Sequence, residues 1–319
     1  MTITQAPSAL LVVVVGATGV QGGSVINALA ESDKPYRIRG FTRDITKAAS
    51  EALIKRGVEM LGISLVVDNV KEVYTAFAGA NFVFLVTNFW EHINMEKEIS
   101  EGKMLIDAAK AAGVERIVWS GLAATTKISR GKYPHVYHFD GKAAVTEYAR
   151  QSGVPFVNVQ AGFYASNFLG NPSMLAKQPD GTFAIPWAIK PTTVMPIIDA
   201  ANDYGLYVRR VLELPVFPSG SEVYTTSEDV TMGELARQLA EITGKPVVFK
   251  QLTTEEWAKN FAALGLPPPV VTELIDGFQF VEEFGYYGGE PTASREGLGR
   301  PTRTWSEFVK NADWSKTLA

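Results

Sequence analysis

The chain is 319 residues long, has no cysteine, and sets 30 lysines and arginines against 34 aspartates and glutamates for a formal charge of −4. At roughly 150 residues per domain this length predicts about two units and a large buried core. The missing thiols exclude a disulfide scaffold, a thiolate metal site, an iron–sulfur cluster and a cysteine nucleophile, and the mild negative charge argues against direct binding of nucleic acid through the whole surface.

Residues 1–8 read as a loose tail. The apolar run 9–15 is short, is stopped by Gly16 and follows no positive residue, so it makes a poor signal peptide. No run approaches the roughly 18 apolar residues of a membrane span, and the expected location is the cytoplasm, with the nucleus also open to it. Leu10–Val15 is a β-branched run of the kind buried on both faces of a sheet. Glycines follow, then Val25, Ile26 and Leu29 at helical spacing. Strands are expected at Tyr36–Thr42, Val58–Leu61, Asn81–Val86, Arg116–Trp119 and Pro155–Val159. Between them, Val70, Val73, Tyr74 and Phe77, then Met95, Ile99, Gly102, Ile106, Ala109 and Ala112, and then Ala144, Val145, Tyr148 and Ala149 mark helix faces. This alternation predicts an α/β fold, a Rossmann-like doubly wound parallel sheet, over 1–162. Beyond it Gly and Pro punctuate the chain, Asp199–Leu212 reads as a helix, and Thr231…Glu234, Thr253…Glu256 and Thr304…Glu307 announce three more. Residues 163–319 are expected to form a smaller α+β domain for substrate or partner, with segments crossing back to the first.

Gly16-Ala17-Thr18-Gly19-Val20-Gln21-Gly22 lies between the first strand and the first helix. There the glycines permit a tight turn, backbone approach to a pyrophosphate, and close helix–strand packing, while the helix N-terminus offers N–H groups to phosphate. An NAD site would carry Asp or Glu at the end of the second strand, about 20 residues on. This chain has Thr42-Arg43 there, and Lys47 one turn further. A guanidinium suits a 2′-phosphate, so the expected cofactor is NADP(H). Asp44, next to Arg43, works against that preference.

With GATGVQG (16–22), FTRD (41–44), TNFWE (87–91), EGKMLIDAAKAAGVERIVWSGL (101–122), HFDGK (138–142) and GVPFVNVQAGFYASNF (153–168), the chain resembles the NmrA-like family, an atypical branch of the short-chain dehydrogenases/reductases. The resemblance is close over about 11–170 and looser beyond. It implies an NADP(H)-binding domain facing a smaller one across a cleft. By this resemblance Gly16, Thr18, Gly19, Gln21 and Gly22 hold the pyrophosphate and Arg43 the 2′-phosphate; Val20, inside the same loop, and Lys47, one turn beyond Arg43, are added by position. Thr87, Asn88 and Phe89 with Gly162, Phe163 and Tyr164 flank ribose and nicotinamide, and Lys142 meets the nicotinamide ribose.

Two positions depart from the superfamily pattern. Where catalytic members carry Tyr-x-x-x-Lys, this chain has His138-x-x-x-Lys142, and Tyr137 is turned roughly 100° away on a helix. Where relatives place Gly-Asp after the third strand, it has Gly62-Ile63-Ser64. The candidate catalytic groups are therefore Lys142, His138 and Ser120, the last at an oxyanion-stabilising position.

Two functions follow. One is an NADP(H)-dependent redox sensor or transcriptional regulator working through a protein partner. The other is an NADPH-dependent reductase, similar to isoflavone reductases, acting on a small hydrophobic carbonyl or enone held by aromatics such as Trp90, Phe163, Tyr164, Phe168 and Trp187. A hydrolase with a metal on His135, His138 and Asp140 conflicts with the cofactor spacing, and no metal is expected.

Overall fold

The computed structural model describes residues 3–319, so the first two residues of the tail lie outside it. The first half alternates strand and helix. Its elements are β1 (Leu10–Val14), α1 (Val20–Ala30), β2 (Tyr36–Thr42), α2 (Ala48–Lys55), β3 (Glu59–Gly62), α3 (Val70–Ala76), β4 (Phe82–Leu85), α4 (Met95–Ala111), β5 (Arg116–Trp119), α5 (Thr125–Ile128), α6 (Tyr137–Gln151) and β6 (Phe156–Gln160). The remainder adds β7 (Phe163–Tyr164), β8 (Ala176–Lys177), β9 (Phe183–Trp187), β10 (Val194–Ile198), α7 (Ala200–Glu213), β11 (Glu222–Tyr224), β12 (Glu228–Thr231), α8 (Met232–Thr243), β13 (Val247–Gln251), α9 (Thr254–Ala263), α10 (Pro268–Phe284) and α11 (Trp305–Asn311).

The central sheet has seven strands in the order β11-β6-β5-β4-β1-β2-β3, every pair parallel. It is the expected doubly wound sheet, with β11 appended from the second half of the chain. Parallel strands buried on both faces need continuous apolar runs, which β4 supplies, as do β5 from Ile117 and β1 from Leu11 onward; β6 is equally buried but carries Asn158 and Gln160, whose amides donate to Glu222. α1 and α7 cover one face and α3, α4 and α6 the other, each with its own apolar core. α7 docks on α1 through Gly205, where a Cβ would lie 2.1 Å from the Ser24 carbonyl oxygen, so only glycine fits.

Two small three-stranded sheets, β12-β10-β7 and β13-β9-β8, build the rest together with α8–α11 around a third, aromatic-rich core. The expected helix starts are present, but the caps differ. At Thr253 and Thr304 the glutamate three residues on returns the hydrogen bond. At Thr231 only half the box forms, because the Glu234 carboxylate is taken by Arg237 and Gln238. Among the described residues no helix is long and apolar enough to cross a membrane.

Candidate functional site

A cleft of about 1160 Å³ lies at the carboxyl end of the central sheet. It includes the crevice between β1 and β4, whose outgoing connections run to opposite sides of the sheet, which is where doubly wound folds bind ligands. The loop after β1 shapes one end. Gly16 has φ +69°, a left-handed conformation that favours glycine. A Cβ on Gly22 would fall 2.1 Å from the Gly16 carbonyl oxygen. Gly19 is the N-cap of α1 and supplies no side-chain cap, and the first turn holds no acidic residue. Its free N–H groups and positive dipole end are thus left for an anion. Thr18, Val20 and Gln21 line the cleft here. Tyr164 stands beside Gln21, and burial pushes its phenol up to about 12.

Arg43 and Lys47 line the cleft near Ile63 and Ser64. Arg43 is largely exposed and pairs with Glu91 at 2.5 Å. Asp44 does not compete for it. The Asp44 carboxylate accepts from the Thr46 hydroxyl at 2.6 Å and the Thr46 N–H at 2.9 Å, which hold it below the usual carboxylate range.

Lys142 projects from α6 into a polar knot. Its Nζ donates to the Thr87 carbonyl at 2.9 Å, the Thr87 hydroxyl at 2.8 Å and Glu98 Oε1 at 2.6 Å. All three ammonium hydrogens are thereby used. The Thr87 hydroxyl donates to the same Glu98 oxygen at 2.7 Å. Glu98 is fully buried. Burial pulls the Lys142 ammonium below the ordinary lysine value, and Glu98 opposes that pull. Gly141 leaves space for the carboxylate, since a Cβ there would stand 2.9 Å from Glu98 Oε2. Ser120, at the end of β5, is buried beside Tyr204 and also lines the cleft. Asn88, Phe89 and Gly162 complete this region.

One helical turn before Lys142, His138 places Nδ1 2.7 Å from Glu273 Oε1, and the same oxygen accepts the His138 backbone N–H at 2.8 Å. The ring centroids of Trp90, Phe89 and Phe139 lie 5.0, 5.8 and 4.8 Å from the imidazole. Tyr137 packs against His135 and is not part of the cleft. His135 pairs with Asp276, and the Asp140 carboxylate takes the N–H and hydroxyl of Thr126. The three side chains of the metal reading thus have three different partners.

The far end of the cleft is apolar. α10 presents Val270, Glu273, Leu274, Gly277, Phe278 and Val281 to it at intervals of three and four residues, one face of a helix. Phe163, Met174, Met195 and Tyr286 face the same space, as does Trp90. Phe168 and Trp187, expected in this wall, are instead fully buried in the aromatic core, stacked with ring centroids 5.7 Å apart.

A family model described as NmrA-like family matches residues 9–309. The chain belongs to the NmrA-like family. Among its curated relatives, an NmrA-like family domain-containing oxidoreductase of Penicillium ochrochloron is 29% identical over 300 residues, covering 88% of this chain and 87% of the relative. NmrA itself, a negative transcriptional regulator solved in complex with NADP, superposes with a TM-score of 0.76 at 24% identity over 95% of both chains. An NADPH-dependent quinone oxidoreductase of Escherichia coli, solved with NADPH, gives a TM-score of 0.76 at 22% identity, over 94% of this chain and 98% of the other.

The cofactor-binding and catalytic candidates named from this NmrA-like sequence line one cleft, whereas His135, Tyr137, Asp140, Phe168 and Trp187 do not. Three others emerge only in the structure: Glu98, Glu273 and Glu91. Glu98 follows Met95 by three residues and precedes Gly102 by four, and Glu273 follows Val270 by three and precedes Gly277 by four. A lone acid on an otherwise apolar stripe is the local signal that marks both. Glu91 has no such signal.

Proposed function

We propose that this NmrA-like protein binds NADP(H) and uses it to reduce a flat, apolar substrate carrying a carbonyl, enone or quinone. The observation that carries the reading is that the glycine loop, the Arg43 end and the apolar face of α10 all open on one continuous cleft. At about 1160 Å³ it exceeds the roughly 300–1,000 Å³ typical of a single small-ligand pocket. The fit of a dinucleotide rests on the loop itself, where Gly22 leaves no space for a Cβ and α1 lacks a cap. Gly16–Gly22 would hold the pyrophosphate, Arg43 and Lys47 the 2′-phosphate. Thr87, Asn88, Phe89, Gly162, Phe163 and Tyr164 would flank the nicotinamide, and Ser120 would support a developing oxyanion. When bound, the cofactor supplies a hydride. Lys142 would exchange one of its present bonds for a ribose hydroxyl while keeping the Thr87 loop in place. The lack of cysteine suits work in the reducing cytoplasm.

The test is NADPH oxidation, followed by absorbance, over a panel of quinones, enones and aromatic aldehydes. Turnover with at least one acceptor supports the reading. Tight NADPH binding with no turnover on any of them overturns it and favours the second reading, a redox sensor acting on a regulatory protein partner. The Arg43–Glu91 pair favours that alternative. A 2′-phosphate that takes Arg43 would free Glu91 and its neighbours Phe89 and Trp90, giving the loop different positions with and without NADP(H). Such a coupling must be reciprocal, so a partner that prefers one loop position would also change cofactor affinity.

A further inference from the structure

We propose that His138 is the proton donor of the reduction and that Glu273 positions it. The inference rests on the reductase reading above. The superfamily tyrosine is missing at 138, and no hydroxyl takes its place on α6 facing the cleft. The imidazole there is held rigidly. Glu273 Oε1 accepts from the His138 backbone N–H and stands 2.7 Å from Nδ1. A carboxylate on Nδ1 keeps that nitrogen protonated and leaves Nε2 as the one that exchanges protons. No hydrogen bond among the described residues uses Nε2. Both His138 and Glu273 line the cleft.

A plain structural clamp between α6 and α10 does not explain Glu273. The two regions are already joined by the more exposed His135–Asp276 pair, offset by three residues on both sides. Glu273 is only 1% exposed and its second oxygen, Oε2, has no partner. Burying a carboxylate so incompletely satisfied is costly, and a clamp does not require it. The other charged groups lining the cleft are Arg43, Lys47, Lys142, and Glu91, His92, Lys97 and Glu101 around the loop after β4. Of these, Lys142 is committed to Thr87 and Glu98, and Arg43 to Glu91. Tyr164 and Tyr286 keep neutral phenols, both pushed up by burial.

The step balances as follows. The substrate carbonyl carbon gains a hydride from NADPH, which becomes NADP⁺, and the π pair of the C=O bond moves to oxygen. That oxygen takes the Nε2 proton of the His138 imidazolium. The ring becomes neutral with its Nδ1–H still on Glu273, and solvent returns a proton to Nε2.

The first measurement needs no turnover. The chain has three histidines, so imidazole nitrogen NMR resolves each of them. Neutral His138 is expected as the Nδ1–H tautomer, and Glu273→Ala should abolish that preference. The second uses NADPH with phenanthrenequinone. His138→Asn keeps a donor toward Glu273 and lacks Nε2. It should lower kcat by about 10²–10⁴-fold and leave KM and NADPH affinity near wild type. Glu273→Gln should lower kcat less and weaken the Nδ1–H tautomer preference of His138, and His135→Asn should leave kcat unchanged. A neutral His138 protonated on Nε2, or a His138→Asn variant within about twofold of wild-type kcat, overturns the assignment. If wild type binds NADPH yet oxidises it with no acceptor, the reductase reading itself fails; if wild type and His138→Asn turn over alike, only the donor assignment does.

Discussion

Arg43 is the group proposed for the 2′-phosphate, and its partner in the structure is Glu91. Both side chains are well exposed, so this pair is worth at most about 1 kcal/mol and yields readily to a dianionic phosphate. Charge-assisted hydrogen bonds of about 1.5–3 kcal/mol then predict that Arg43→Ala raises the Kd for NADPH by about tenfold or more and leaves that for NADH within about twofold. Glu91→Gln should tighten NADPH by a few-fold, because the competitor is gone. Calorimetric titration with both cofactors reads both effects, and equal losses for NADPH and NADH in Arg43→Ala would refute the 2′-phosphate role. Lys142 obeys the opposite arithmetic. Its ion pair with Glu98 is buried, and removing one member strands the other charge. Glu98→Ala is therefore expected to cost about 3–5 kcal/mol in urea unfolding, with Glu98→Ala/Lys142→Met recovering part of it. A Glu98→Ala protein as stable as wild type would show that the knot does not hold the Thr87 loop.

At the scale of elements, what was legible in the sequence was what is local. The β-branched run of β1, the glycine turn, the guanidinium after β2 and the helix starts at Thr253 and Thr304 all declare themselves within a few residues. The pairing of β9 with β13 and the docking of α10 do not, because their partners come from distant stretches of chain: Glu273 meets His138 across 135 residues, and the Gly205 N–H meets the Ser24 hydroxyl across 181. Phe168 and Trp187 were misplaced for the same reason. An aromatic residue near the site in sequence turns into core once β9 and α8–α11 close over it. The α1–α7 contact can be tested directly. Gly205→Ala forces a Cβ into backbone with no flexible neighbour to yield, and overpacking of this kind costs about 1–3 kcal/mol. The expected result is a lower Tm with NADPH affinity retained in the folded fraction, since Gly205 is not part of the cleft. An unchanged Tm would mean that the two helices separate freely.

The whole molecule is tied together by phenols that must stay neutral. From α7, the Tyr204 hydroxyl donates to the Val159 carbonyl on β6 and the Tyr207 hydroxyl to the Thr226 carbonyl after β11, while Tyr287 donates to the Thr225 carbonyl. These bonds stitch the returning segments of the second half onto the central sheet. Burial is the main cause that raises all three phenols above the ordinary 10.0, Tyr207 to about 12. A group whose folded pKa is raised contributes stability that is intact below its unfolded pKa and is lost as pH climbs through the folded one. For Tyr207 that window runs from 10.0 to about 12. The phenol contribution is thus expected to hold steady up to about pH 10 and then fall steeply. Lys142 works the other way, because its ammonium is disfavoured in the fold and the unfolded chain binds the proton more readily. It adds a gentle rise in stability below the lysine value, so the collapse above pH 10 is to be traced to the tyrosines. Tyr207→Phe should lose about 1 kcal/mol at neutral pH, the worth of one hydrogen bond, and show a shallower alkaline limb than wild type. Urea unfolding across this pH range, with phenolate absorbance recorded alongside, makes the check. If most phenols ionise near pH 10 while the fold survives, the hydroxyl ties do not carry the assembly.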